Sequence, residues 1–483
     1  MFVLLRFVAA RQWARFFARA HWDRFRGRMS GARFASCLCL AGACCAAGAP
    51  ELGAQSCPIP QVGPAQLGHI LFVRQWDEHD RMSATGDGLG PMFNERSCAA
   101  CHNQGGLGGS GSAEQNVELL CLVPTQSVTR IDRKLFVAQA GMVHPAFVVN
   151  DTTALPTIVL HRSSTDPVYA AWRQTLVGML ARGAAMKPKP SFVIRRFERR
   201  TPALFGAGLI DSIPPAVLHA TAKRQAATAG VRGRVALATD GGVGKFGWRG
   251  QTASLEQFVL GACANELGIH VASASQARTP FGNVAAPGDD LNERQCNALV
   301  AFVAALPAPV QRKLSSVHEQ KAWHAGERLF ASLGCAACHP ARLGSVAGIY
   351  SDLLLHDMGV ELSDPAGTNV PGRSGFAQVF DATKYYGGAM DVFVAVPPES
   401  QREWRTPPLW GLAVSGPYLH DGRARTLEQA ILKHGGEAQA ARNKYAALGR
   451  EDRAKLWAFL YNLGVPAADR SMPQQPGPRV AVR

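Results

Sequence analysis

Residues 98–102 read Cys-Ala-Ala-Cys-His, and residues 335–339 read the same five residues again. Two thiols two positions apart can each add to a vinyl group of one porphyrin, and the histidine that follows is then placed to ligate its iron. A single copy would also fit a zinc site or a redox-active cysteine pair. Two identical copies in one chain argue instead for two covalently bound haem c groups. Cys98, Cys101, Cys335 and Cys338 are then the attachment points, with His102 and His339 as proximal iron ligands.

The flanking sequence agrees. Ahead of the second copy, Trp323 to Leu333 (WHAGERLFASL) has apolar residues at helical spacing and stops at Gly334. Ahead of the first, Leu67 to Phe72 (LGHILF) is a looser version, followed by a glycine-rich turn from Gly86 to Gly90.

The chain has 483 residues, 47% of them hydrophobic, enough for two well-packed domains. Its 49 glycines and 30 prolines suit short helices and long ordered loops. The formal net charge is +15, but residues 1–49 hold eight arginines and one acid, which leaves +8 for the remainder. Haem propionates would lower it further. This is too little to argue for nucleic-acid binding, while a mildly basic surface can steer an acidic partner protein.

Residues 1–49 read as an export segment directing the chain to the periplasm: Arg24, Arg26, Arg28 and Arg33 precede the small, apolar run from Phe34 to Ala49. Ala47-Gly48-Ala49 offers a cleavage site, Leu40 to Cys44 fits a lipid-attachment pattern only weakly, and Met29 is an alternative start. No later segment reads as an integral membrane domain. Of the twelve cysteines, four lie in this segment (Cys37, Cys39, Cys44, Cys45) and four serve the pentapeptides. Cys57, Cys121, Cys263 and Cys296 remain; Cys263 and Cys296 flank one local unit and are a reasonable disulfide pair in an oxidising compartment, although sequence does not fix the pairing.

The two halves share more than the pentapeptides. Arg200-Thr201-Pro202-Ala203-Leu204-Phe205-Gly206 is followed by Gly247-Trp248-Arg249-Gly250 and then Ser254-Leu255-Glu256-Gln257. Arg405-Thr406-Pro407-Pro408-Leu409-Trp410-Gly411 is followed by His420-Asp421-Gly422-Arg423 and then Thr426-Leu427-Glu428-Gln429. Ser254 and Thr426 are candidate helix caps. The expected fold class is mainly α: two cytochrome c-like domains from an internal duplication, with loop insertions and a small β-hairpin within 141–160. The expected boundaries are 55–305 and 306–470, with a linker at 307–318 and a disordered tail at 471–483.

These motifs resemble the bacterial di-haem cytochrome c peroxidase and MauG superfamily, in particular its branch of di-haem oxidoreductases often labelled thiol oxidoreductases. The likeness covers about residues 60 to 465 and is carried most specifically by RTPPLWG, GPYLHDGRARTLEQA and HGGEA. It implies two helical domains, hydrogen peroxide reacting at the amino-terminal haem, and a carboxy-terminal haem that transfers electrons. It further implies that Glu266 is the distal acid that shuttles a proton during O–O cleavage, and that Trp248 lies between the haems with its N–H on a propionate. His434 would be the sixth ligand of the second iron, with Met358 and Met390 as weaker competitors. His420 would be structural, its imidazole satisfied by backbone or propionate.

The chain also departs from the pattern. The calcium-binding asparagine of the peroxidases aligns with Arg200, a cation, so calcium is in doubt even though carbonyls near Thr406 and Pro408 could contribute. No Cys-x-x-Cys pair remains for thiol chemistry once the haems take theirs. The reading therefore favours a peroxidase that exchanges electrons with a donor protein or oxidises a protein substrate. A di-haem oxygenase and a non-enzymatic electron carrier stay open as alternatives.

Overall fold

Two helix crossings frame the molecule. Pro64–Val73 packs along Glu293–Ala304, and Val317–Leu333 packs along Arg450–Leu460. Each crossing is closed at a glycine. A Cβ on Gly68 would strike the Ala298 carbonyl, and one on Gly326 would strike the Lys455 carbonyl. Backbones approach this closely only where no side chain intervenes.

The computed structural model describes residues 62–464, apart from 125–129, 144–146, 151–152, 155–156, 182–191, 228–229, 239, 277–287, 312, 365–375, 380–391 and 396–397. The described residues belong to one compact unit, Ser56–Arg483. The expected export segment, Cys57, the disordered tail and Met390 lie outside the described residues.

The first crossing centres a core of Leu67, Leu71, Phe72, Leu299 and Val303, which extends to Leu260, Ile269 and Leu354. The second gathers Trp323, Phe330, Leu456, Phe459 and Leu460. Caps start the helices as the sequence predicts. The Ser254 side chain accepts the Gln257 N–H ahead of Leu255–Glu266, and Thr426 accepts the Gln429 N–H ahead of Leu427–Leu432. Gly334, in the left-handed region at φ +99°, ends Val317–Leu333 directly before the second pentapeptide.

Strand is more abundant than the sequence reading expects. Val117–Pro124 lies between Thr157–Val159 and Phe192–Arg199 in an antiparallel sheet. Leu120 and Leu122 face a cluster with Phe136 and Leu160, while Leu119 and Cys121 face one with Val159 and Phe197. Both faces are covered, so Val117–Pro124 reads as an apolar run rather than an alternation. Within the expected hairpin region, Val148–Asn150 pairs with Thr153–Ala154, but Gly141–Val143 ends the helix Arg133–Val143, and 157–159 joins the larger sheet.

The expected linker is seated rather than free. Ala308 packs on the first core, and Pro309 lies against Gly411 and Gly464. Leu355–Asp357 pairs antiparallel with Glu403–Arg405, which sets His356 opposite Trp404 and leads into the second Arg-Thr-Pro segment.

Candidate functional site

Both pentapeptides fold into one tight turn. Ser97 caps the first by accepting the Ala100 N–H at 3.1 Å, and the His102 N–H returns to the Cys98 carbonyl at 2.9 Å. In the second, the His339 N–H returns to the Cys335 carbonyl at 2.9 Å. The closing bond brings each histidine back over its first cysteine.

The imidazoles are oriented alike. His102 Nδ1 lies 3.1 Å from the Gly109 carbonyl, and His339 Nδ1 lies 2.8 Å from the Tyr350 carbonyl. A carbonyl only accepts, so each Nδ1 carries the proton and each Nε2 keeps its lone pair. This is the tautomer and anchoring that an iron-ligating histidine needs. Burial pushes both rings down to about 4, which keeps them neutral. It also pushes the thiols of Cys98 and Cys101 up to about 12 and that of Cys335 up to about 11. Two thiols and one neutral, carbonyl-anchored imidazole within a single turn form a donor set that fits haem c at both pentapeptides.

A cavity of about 300 Å³ opens at the second pentapeptide. Cys335, Cys338, His339 and His434 line it, together with Trp248 and His420. His434 repeats the same arrangement, with Nδ1 2.7 Å from the Ala430 carbonyl, and burial lowers its pKa. Its Nε2 is thus the ring's available lone pair, in the same cavity as His339. Met358 also reaches this cavity. A Cβ on Gly436 would meet the Asp357 carbonyl, so the chain turns tightly against the strand Leu355–Asp357.

Glu266 closes the helix Leu255–Glu266 beside the first pentapeptide and is electrostatically coupled to Cys101. Asn94 grips it twice: the Asn94 side chain donates to Oε2 at 2.6 Å, and the Asn94 backbone N–H donates to the Glu266 carbonyl at 2.7 Å. The Asn94 oxygen accepts the Arg162 backbone N–H at 3.1 Å, which fixes the amide's orientation. Burial raises the Glu266 pKa, partly offset by Asn94 and Arg162. Sequence reasoning missed Asn94, whose partner is 172 positions away.

Trp248 bridges the two Arg-Thr-Pro segments. Its indole N–H donates to the Arg200 carbonyl at 2.8 Å, and its own carbonyl accepts the Arg405 N–H at 3.0 Å. The implied bond to a propionate is thus replaced by one to main chain, because the extended Arg-Thr-Pro backbone presents a carbonyl at the indole. His420 stacks on Trp404 at 3.6 Å, and its Nε2 lies 3.7 Å from a carboxylate oxygen of Asp364 and 3.7 Å from one of Asp421.

A second missed group is His356, set between Asp352 at 2.9 Å and Glu437 at 2.7 Å and lying 3.7 Å from Cys338 Sγ. Burial opposes its charge, but Asp352, Cys338 and Glu437 raise its pKa to about 12. Cys338, Asp352 and His356 stand close enough to hold an ion. Both ring nitrogens face carboxylates, however, so the cluster is an ion pair that braces the second attachment turn.

Cys263 and Cys296 are separate thiols, and Cys296 Sγ contacts the Leu291 carbonyl at 3.6 Å. Near the doubtful calcium position, the Thr406 carbonyl already accepts Ser351 Oγ at 2.8 Å and Arg405 Nη1 at 3.3 Å. No helix among the described residues is long and apolar enough to cross a membrane.

Residues 395–463, which contain Arg405, His420 and His434, carry a domain of the family described as "Di-haem oxidoreductase, putative peroxidase". The chain is also similar to the methylamine utilization protein MauG of Methylorubrum extorquens, at 31% identity over 149 residues, covering 30% of this chain and 34% of that protein. It is 27% identical to the hydrazine synthase gamma subunit of Kuenenia stuttgartiensis, covering 30% and 42% respectively. The chain thus spans well under half the length of these curated relatives. A solved MauG-like protein associated with microbial copper homeostasis is 18% identical over 54% of this chain and 93% of that one, with a TM-score of 0.27.

Proposed function

We propose that this chain is an exported di-haem peroxidase that reduces hydrogen peroxide beside Glu266 and relays electrons through the site at His339 and His434. The observation that carries the reading is the asymmetry of the two pentapeptide sites. A carboxyl with a raised pKa stands by the first, whereas a second buried imidazole with a fixed tautomer shares the cavity of the second. Bound haem supplies the redox-active iron at each site.

The chain's own residues divide the rest of the task. His102 and His339 hold their Nε2 lone pairs toward the cofactors, and His434 supplies a further ligand at the second. Glu266, its pKa raised by burial, accepts a proton from one oxygen of peroxide and returns it to the other, with Asn94 fixing the carboxyl. Trp248 stands in the wall of the second cavity, joined to both Arg-Thr-Pro segments, as the aromatic bridge between the halves. A net +8 outside the first 49 residues suits an acidic electron-donor or substrate protein in the periplasm.

Replacing Glu266 with glutamine tests the reading, because it keeps size and the Asn94 contact while removing the titrating proton. Stopped-flow mixing of the purified protein with peroxide is expected to show a slowing on the order of 10²-fold. An unchanged rate removes Glu266 from the chemistry. Two low-spin sites inert to both cyanide and peroxide would leave an electron carrier instead.

A further inference from the structure

We propose that Arg200 and Arg405 form a carboxylate-binding pair that receives the two propionates of the haem attached at Cys335 and Cys338. The proposal rests on reading residues 335–339 as a haem site.

The two arginines open the repeated Arg-Thr-Pro segments, and both line the one cavity that holds His339 and His434. Both are buried, at 6% and 8% exposure. Arg405 donates from Nε to the Gly247 carbonyl at 2.8 Å and from Nη1 to the Thr406 carbonyl at 3.3 Å. Arg200 donates from Nη2 to the Ser415 carbonyl, while its Nε has no partner. Every acceptor is a neutral carbonyl. Among the described residues, neither guanidinium forms an ion pair. Burial pulls both down to about 10, opposed at Arg405 by the more distant Asp352 and at Arg200 by Tyr418.

Other buried cations nearby are treated differently. Lys245 reaches the same cavity but lies 3.3 Å from Asp211. Arg199 lies 2.5 Å from Asp364, and His356 sits between two carboxylates. Protein interiors pair their charges because an uncompensated ion forfeits its hydration. Two guanidiniums with no ion-pair partner among the described residues, in one largely apolar cavity, therefore suit a ligand with a large apolar body and two separated negative charges. A haem fixed through its vinyl groups carries two carboxylates on its remaining edge, and guanidinium–carboxylate bonds are strong and directional. Trp248 then acquires a structural duty, since its bonds to Arg200 and Arg405 set the spacing of the pair.

The test uses the full-length holoprotein, with both haems verified by mass, as wild type, Arg405→Gln, Arg200→Gln and Arg405→Lys. Spectroelectrochemistry reads the reduction potential of each haem between about pH 5 and 8, the range into which burial without a neighbouring cation raises a carboxyl's titration. The wild-type second haem should show a flat profile. Each glutamine variant should lower that potential and introduce a proton-linked slope, with the first haem moving less and Arg405→Lys restoring most of the change. Glutamine variants that keep both haems and the wild-type potential and profile overturn the pairing. Should a variant fail to retain haem, infrared spectra of the wild-type propionates decide: carboxylates that protonate in this range overturn it, and ones that stay ionised support it. Wild-type protein lacking haem at Cys335 and Cys338 would sink the underlying haem reading, a failure distinct from loss of the pairing alone.

Discussion

At the residue scale, three imidazoles obey one rule: Nδ1 donates to a main-chain carbonyl and Nε2 is left over. For His102 and His339 the adjacent cysteines explain why. For His434 the rule itself makes the argument, because an anchored, neutral ring with an available lone pair in the cavity of His339 is prepared for a metal. His434→Gly is expected to convert one of two haems from low to high spin, read directly by electron paramagnetic resonance of the ferric protein. A persistent low-spin signal would pass the role to Met358. Asn94→Ala should slow the peroxide reaction less than Glu266→Gln, because it frees the carboxyl to wander without removing its proton; equal or greater slowing would make Asn94 more than a positioning residue. The pentapeptides were fully legible in the sequence, since thioether chemistry demands neighbours along the chain. Asn94 and the buried arginines were not. One depends on a contact across 172 positions, and arginine ordinarily reads as surface.

At the element scale, each pentapeptide follows a helix that crosses a later helix at a glycine. These paired crossings accord with the internal duplication inferred from the repeated Arg-Thr-Pro segments, which we retain as a proposal. Gly326→Ala should cost about 1–3 kcal/mol, because the new methyl group meets the fixed Lys455 carbonyl rather than a side chain that could swing away. Denaturant unfolding of the variant measures it, and a loss below about 0.5 kcal/mol would mean that the helices slide apart freely. Local signals served well at this scale: Ser254, Thr426 and Gly334 cap the helices for which they were read. The sheet escaped notice because Val117–Pro124 and Phe192–Arg199, its longest pair, are separated by a long insertion, and Val117–Pro124 is covered on both faces, which erases the alternation that marks a strand.

At the scale of the whole molecule, the mass of the purified, exported protein should exceed that of its polypeptide by two haems; one haem or none would dismantle the division of labour between the two sites. The wall of the second cavity comes from both halves of the chain, with Arg200, Phe205 and Trp248 facing Leu427, Ile431 and His434. That shared wall has a consequence for biogenesis. If a porphyrin is attached at Cys335 and Cys338 as proposed, it must be stitched there while the pocket is open, because the wall is completed only when residues translated long before come to rest against those translated last. Maturation should therefore run in a fixed order, with the carboxy-terminal segment modified while still loosely folded and the amino-terminal half then acting as its lid. A carboxy-terminal fragment made alone would receive its cofactor and keep it half open to water.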